Sequence, residues 1–256
     1  RLELGSQLRQ ALKKECELEL WFQPQMDATN NRLVGAEALI RWNHPQEGLI
    51  FPDRFLPVAE DAGLISTLDY WVLESACCRL ARWQSLGYAP IVLAVNITQP
   101  TFISGGLVER LKALLGYYRL DPQWLELEIT ETAIISDKLR ALHCLRQFKA
   151  MGVKVALDDF GTGYSSLDTL HSFPFDKIKI DKSFLLRAED SPQALAIVRT
   201  VLALGRSLSI PVLAEGVENE RQLRILQSEG CDEAQGYYFG HPAPAPSLAL
   251  PKAVNS

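Results

Sequence analysis

Short runs of branched and aromatic apolar residues alternate along the chain with longer stretches in which apolar residues recur every three or four positions. The runs that read as strands are Leu18–Gln23, Leu33–Leu39, Ile91–Ile97, Leu125–Thr130, Val153–Asp159, Phe175–Asp181, Pro211–Gly216 and Glu233–Phe239. Between them, helical spacing covers Leu68–Leu86, closed by Gly87. It returns over Asp137–Ala150, with Ser136 as the expected N-cap and Gly152 beyond the end, and again over Ala194–Leu208 and Glu220–Ser228. No Ser/Gly-rich linker divides the chain. Eight strands alternating with helices in 256 residues predict an α/β fold, a TIM-like (β/α)8 barrel. An open doubly wound sheet is the alternative, but its G-x-G-x-x-G turn after the first strand is missing.

In such barrels the chemistry sits at the C-terminal ends of the strands. There the second strand carries Glu37, the third Asn96, and the fourth Glu128 with Glu131 just beyond. The fifth ends in Asp158 and Asp159, the sixth holds Lys179, the seventh ends at Glu215, and the eighth carries Gln235. The period-two alternation of a strand supports part of this set. Val92, Ala94 and Asn96 share one face; Val153, Val155 and Leu157 face helices and leave Asp158 toward the axis; Ile178 and Ile180 face out and Lys179 in. Glu215 has the parity of Leu213, read as helix-facing, so only a bend or bulge brings it to the axis.

Adjacent aspartates at a buried strand end repel one another, so a cation between them is expected. The rim offers hard oxygen donors, and the four histidines are scattered, with no H-E-x-x-H. Such a donor set selects magnesium or manganese over zinc. Two ions held by neighbouring carboxylates activate water and clamp a phosphodiester. The turn Gly161-Thr162-Gly163 lacks the Lys-Ser/Thr of a P-loop and reads as a movable loop carrying Asp159.

Composition narrows the classes. With 47% hydrophobic and 22% charged residues the chain is an ordinary globular one, and its net charge of −5 with no Lys/Arg-rich run excludes a duplex nucleic-acid binder. The five cysteines form no C-x-x-C pair and read as small buried hydrophobes in a reducing compartment, the cytoplasm. No apolar run reaches membrane-spanning length and no signal peptide is visible, although attachment to a membrane-anchored partner domain is compatible with this. The chain starts at Arg1 and reads as a segment of a longer protein.

The motifs fit one family pattern. "EAL" at Glu37–Leu39 lies inside "GAEALIRWNHPQEGLIFPDRFLPVAEDAGLI", followed by "VNIT" at Val95–Thr98 and "EITE" at Glu128–Glu131. Then come "DDFGTGYSSL" at Asp158–Leu167, "KIDKSF" at Lys179–Phe184, "AEGVE" at Ala214–Glu218 and "QGYYF" at Gln235–Phe239. From Leu18 to about Pro242 the chain resembles the EAL-domain cyclic-di-GMP phosphodiesterases.

The resemblance implies a barrel with an irregular first strand that cleaves cyclic di-GMP to linear pGpG with two Mg²⁺ or Mn²⁺ ions. It makes Glu37, Asn96, Glu128 and Asp158 ligands of the first ion, and Asp158 and Asp159 ligands of the second. Glu215 is implied as general base or as a further contact to the second ion, and Lys179 as the group that positions water or neutralises developing charge. Arg41 is implied as a phosphate contact, and Gln23, Leu39 and Gln235 as substrate contacts, while Glu131 anchors the loop after Asp159. Thr98 stands where the family usually has serine.

Residues 1–17 read as an entry helix from an upstream sensor or GGDEF domain, with residues 18–256 as the barrel and a homodimer as a possible assembly. The chain itself lacks a GGDEF signature; "SGGL" at Ser104–Leu107 is not one. The alternative function is a non-hydrolysing cyclic-di-GMP receptor, which the intact acid set opposes. A barrel glycosidase would explain Glu128 and Glu215 but not Asn96, Lys179 or the paired aspartates.

Overall fold

The computed structural model describes residues 2–14, 16–161 and 167–252. Its strands are β1 (Leu18–Asp27), β2 (Leu33–His44), β3 (Gly48–Ile50), β4 (Val92–Ile97), β5 (Leu125–Thr130), β6 (Lys154–Phe160), β7 (Lys177–Ile180), β8 (Val212–Ala214), β9 (Glu233–Gln235) and β10 (Ala243–Pro244). Eight of them close a barrel in the order β1-β2-β4-β5-β6-β7-β8-β9, with β9 returning to β1. Pairing is parallel from β2 round to β9, whereas β1 is antiparallel to both neighbours. The barrel is thus the expected TIM-like α/β fold, with β1 as its irregular member. A hairpin adds β3 to the edge of β2, and β10 pairs with β1.

The chain makes this barrel because its strands are apolar on the face that meets the helices. Leu93, Val95, Leu125, Leu127, Ile129, Val155, Leu157, Ile178 and Ile180 are buried there in one continuous apolar cluster. Helices Ile65–Ser85, Leu107–Tyr118, Lys138–Met151, Pro192–Leu208 and Glu220–Ser228 cover that face. The helix Leu2–Ala11 also joins it, since Leu8 and Ala11 are fully buried in the cluster that holds Phe55 and Ala59. Among the described residues, no helix is long and apolar enough to cross a membrane.

The other face of the strands is polar. Residues in register across parallel strands point the same way, and the register places Asn96 beside Glu128, Ala156 beside Lys177, and Lys179 beside Leu213. Leu213 therefore faces the barrel interior, not the helices, and its parity brings Glu215 to the axis. No bulge is required at β8, contrary to the sequence reading. Deep in the barrel, Lys177 Nζ lies 3.0 Å from Glu126 Oε1 and 2.8 Å from Glu233 Oε2. Where most such barrels stack branched apolar side chains, this one stacks ion pairs.

Several boundaries shift for identifiable reasons. β1 runs past Gln23 through Pro24, because Pro24 falls between the β10 pairing at Phe22 and the β9 pairing at Gln25. β2 continues to His44 as the base of the β3 hairpin. β9 stops at Gln235, where the chain turns through Gly236 and Tyr238 N–H donates to the Val217 carbonyl. The helix expected behind Ser136 is capped instead by Asp137, whose Oδ1 accepts from Arg140 N–H at 3.1 Å. Pro52–Asp61 and Leu107–Tyr118 are helices that apolar spacing did not single out. All five cysteines are free, but only Cys77, Cys144 and Cys231 are buried; Cys16 and Cys78 are exposed.

Lys177→Met tests the lower polar layer. Glu126, 1% exposed, would keep a buried charge without its 3.0 Å partner. The expected cost is about 3–5 kcal/mol, seen as a lowered Tm in thermal melts, and Lys177→Met combined with Glu126→Leu should recover most of it. A single substitution as stable as the wild type would contradict the layer's role.

Candidate active site

The upper layer of the barrel interior is built on one ammonium group. Lys179 Nζ lies 2.7 Å from Glu128 Oε2, 2.8 Å from Glu215 Oε1, 3.4 Å from Asp158 Oδ1 and 3.8 Å from Glu37 Oε2. Its side chain is fully buried. Burial alone would favour the neutral amine, but Glu128, Glu215, Glu37 and Asp158 outweigh it and hold the pKa well above the usual lysine range.

Each neighbour is placed by its strand. Glu37 is a hub: Asn96 Nδ2 donates to Oε1 at 2.7 Å and Gln235 Nε2 to Oε2 at 2.6 Å. Burial raises the Glu37 pKa, yet Lys179 and these two donors prevail and lower it. Gln235 Nε2 also donates to Gln23 Oε1, and Gln25 Nε2 donates to Gln235 Oε1, both at 3.0 Å. Its amide is thereby engaged with protein groups. Glu128 is pushed well above the carboxylate range by burial, then by Glu37 and Asp158. Its Oε1 is buried without a hydrogen-bond partner.

Asp158 and Asp159 answer the problem that adjacent strand residues point to opposite faces. The β6–β7 register shifts between Leu157 and Phe160, and Asp159 adopts a left-handed φ of 55°. Such a bulge re-aims a side chain, and aspartate tolerates the left-handed region better than most residues. Asp158, Asp159 and Glu215 consequently bring carboxylate oxygens within 4.8 Å of one another. Burial raises the Asp159 pKa, assisted by Asp158 and Asp181. Burial also pushes Glu215 up to about 7 against the pull of Lys179. Glu215 follows β8 directly, and Gly216 with φ 74° then turns the chain against Lys182, where a Cβ would collide.

Four carboxylates thus surround a single ammonium, and a fifth, Asp159, adjoins two of them. The excess negative charge, the orphaned Glu128 oxygen and the all-oxygen donor set fit hard divalent cations. Two groupings overlap at Lys179: Glu37, Glu128 and Asn96, the last through its bond to Glu37, and the acidic trio Asp158, Asp159 and Glu215, of which Asp158 and Glu215 also contact the ammonium.

The remaining predicted residues fall around this layer. Arg41 is 5% exposed, Leu39 is half-buried opposite Trp21, and Gln23 donates to the Gly240 carbonyl at 3.3 Å. Glu131 is buried in the first turn of the helix Glu131–Ser136. Of the segment it was expected to anchor, Phe160–Ser166, residues 162–166 lie outside the described residues. Glu126 and Lys177 were missed, although each stands two positions before a predicted residue and so on the same face. Also missed was Asp69, whose Oδ2 accepts from Thr98 N at 3.0 Å and Thr98 Oγ1 at 2.6 Å and so fixes the turn after Asn96.

Known proteins resemble this chain in sequence and fold. The family model described as the EAL domain matches residues 6–242. An uncharacterized signaling protein of Caulobacter vibrioides is 49% identical over 250 residues, which is 98% of this chain and 30% of that protein. The bifunctional diguanylate cyclase/cyclic di-GMP phosphodiesterase MucR of Pseudomonas aeruginosa is 44% identical over 248 residues, 96% of this chain and 36% of MucR. The chain spans about a third of the length of these relatives. The solved PaMucR phosphodiesterase in complex with c-di-GMP superimposes with a TM-score of 0.92 at 43% identity, covering 96% of this chain and 99% of that one. The FimX EAL domain of Pseudomonas aeruginosa bound to c-di-GMP does so with a TM-score of 0.85 at 26% identity, covering 94% and 96%. On its motifs, its barrel and these matches, the chain belongs to the EAL domain family.

Proposed function

We propose that the chain hydrolyses one phosphodiester of cyclic di-GMP, giving linear pGpG, with two Mg²⁺ or Mn²⁺ ions. The observation that carries this reading is the set of four carboxylates around Lys179 with Asp159 adjoining them, a concentration of charge that divalent cations balance. Membership of a family whose relatives include a cyclic-di-GMP phosphodiesterase supports the substrate. Glu37, Asn96, Glu128 and Asp158 would hold the first ion, and Asp158 and Asp159 the second. When bound, such a pair of ions polarises a phosphodiester and makes water a nucleophile at neutral pH.

The chain's own groups do the rest. Glu215, half-buried beside Asp158 and Asp159, takes the proton of the attacking water. The water oxygen bonds to phosphorus, the bond to the 3′-oxygen breaks, and that oxygen takes a proton from solvent water while Glu215 returns its own proton to solvent. Lys179 Nζ, 2.8 Å from Glu215, offsets charge that develops on the phosphoryl oxygens. Gln235 orients Glu37 through its 2.6 Å bond, and Gln23 orients Gln235 in turn. Arg41 supplies in-plane donors for a phosphate oxygen.

Incubation of the chain with cyclic di-GMP and Mg²⁺ or Mn²⁺ should yield pGpG, resolved by chromatography. Ca²⁺, with its longer bonds and higher coordination number, should inhibit. Tight binding with no linear product under either activating ion would assign the chain to the receptor class.

Ions and protons compete for the same carboxylates. Burial raises the pKa of Glu128, Asp159 and Glu215 in the metal-free protein; Glu215, at about 7, holds a proton below that pH and releases it above, and the other two likewise keep protons longer than ordinary carboxylates. The rise in Tm on adding Mg²⁺ should therefore be larger at pH 8 than at pH 6. An equal or reversed dependence would contradict the assignment.

Glu128→Gln keeps a hydrogen-bonding partner for Lys179 but removes a carboxylate. Turnover should fall by at least roughly 10³-fold, while the Tm in chelator stays equal or rises because one buried like charge is gone. Near-normal turnover would remove Glu128 from the metal set.

A further inference from the structure

Arg41 is a buried cation at the edge of a carboxylate-rich site, yet no carboxylate holds it. Glu19, Glu37 and Asp53 are close enough to influence its charge, but among the described residues none makes an ion pair with it. The guanidinium carbon lies instead over two rings, 5.3 Å from the centroid of Trp21 and 5.2 Å from that of Phe51. One N–H donates from Nη1 to the Ile40 carbonyl at 2.9 Å, and Nε is buried with no partner.

The topology explains why these two rings meet there. Arg41 lies on β2, which has β1 on one side and the β3 hairpin on the other. On β1, Glu19 stands directly opposite Arg41 and Trp21 opposite Leu39, so Trp21 is the diagonal neighbour. Glu19 Oε1 accepts from Trp21 Nε1 at 2.8 Å, which fixes the indole and engages the acid directly across the strand from Arg41. On the other side, Trp42 pairs with Ile50, so Phe51 follows next to Arg41. Pro52 restricts the residue before it to extended backbone, and Phe51 has φ −87° and ψ 158°. Phe51 is nevertheless 48% exposed, an unusual place for a large apolar ring without a task.

Stacking uses the faces of a guanidinium and leaves its in-plane N–H groups unspent. A carboxylate partner would do the opposite, engaging the donors that a phosphate needs. We propose that Trp21 and Phe51 are positioning residues: they clamp Arg41 in one orientation, charged and free of a competing acid, so that it receives a phosphate oxygen of the substrate. The inference rests on the phosphodiesterase reading and adds two residues to it that touch neither metal nor reacting atoms. Because the clamp acts on substrate capture, its loss should appear in KM and leave kcat nearly intact.

The test is steady-state kinetics with cyclic di-GMP and Mn²⁺, together with dinucleotide binding in Ca²⁺, on four single ring variants and on Arg41→Ala with and without Phe51→Leu. Phe51→Leu and Trp21→Leu should raise KM and Kd about tenfold each, with kcat within about twofold and Tm little changed. Phe51→Tyr and Trp21→Phe, which keep a ring, should restore values near the wild type. In an Arg41→Ala background, Phe51→Leu should add nothing further to Kd, because its effect runs through the guanidinium. If the wild type turns over and Phe51→Leu leaves KM and Kd unchanged, or if the Phe51→Leu effect persists in full without Arg41, the clamp is overturned and the phosphodiesterase reading stands. If the wild type neither binds nor cleaves the dinucleotide, both fall together.

Discussion

The structure depends on an ammonium buried among acids. Lys179 is held by Glu128 at 2.7 Å and Glu215 at 2.8 Å, with Asp158 and Glu37 just beyond. Removing a lysine from water costs several kcal/mol, and only nearby opposite charge offsets it. The reverse is equally true: without Lys179, five carboxylates would face one another across a closed barrel. One cation suffices to let the chain fold, but not to neutralise the acids. That imbalance is what makes the site receptive to further cations, and it links the stability of the barrel directly to its chemistry.

The acids can be concentrated because the barrel separates its two faces. Apolar residues on the outer face of each strand meet the helices and supply the burial energy, so the inner face is free to be polar. The Lys177 layer, paired with Glu126 and Glu233, supports the Lys179 layer from beneath. Polar clusters of this kind are stable only when their groups are satisfied. The departures from satisfaction are therefore informative: Glu128 Oε1 and Arg41 Nε are buried without partners, one facing the need for a cation and the other for an anion. A metal-assisted phosphodiesterase requires both.

Much of this was legible in the sequence. The alternation of strands and helices gave the barrel, and strand-end acids converge as their positions implied. Glu215 was misjudged because Leu213 was taken to face helices by its apolarity, whereas register with Lys179 turns it inward. Glu126 and Lys177 went unnoticed although they share the parity of Glu128 and Lys179, because the sequence reading took in only the strand ends. The left-handed backbone of Asp159 is a local departure from strand geometry that no period can reveal. The contact of Trp21 and Phe51 with Arg41 joins residues on three strands or their ends, which no local spacing brings together. Side-chain capping decided between Ser136 and Asp137, and both are acceptable caps by type.

The central claim is that the charge left over around Lys179 is balanced by two divalent cations in adjoining positions. A Mn²⁺ titration of the chelator-treated chain, followed by electron paramagnetic resonance, counts bound ions directly and detects coupling between neighbours. The account predicts two Mn²⁺ per chain with a coupled signal, reduced to one uncoupled ion by Asp159→Asn. Saturation at one ion in the wild type, or two ions that persist unchanged in Asp159→Asn, would contradict it.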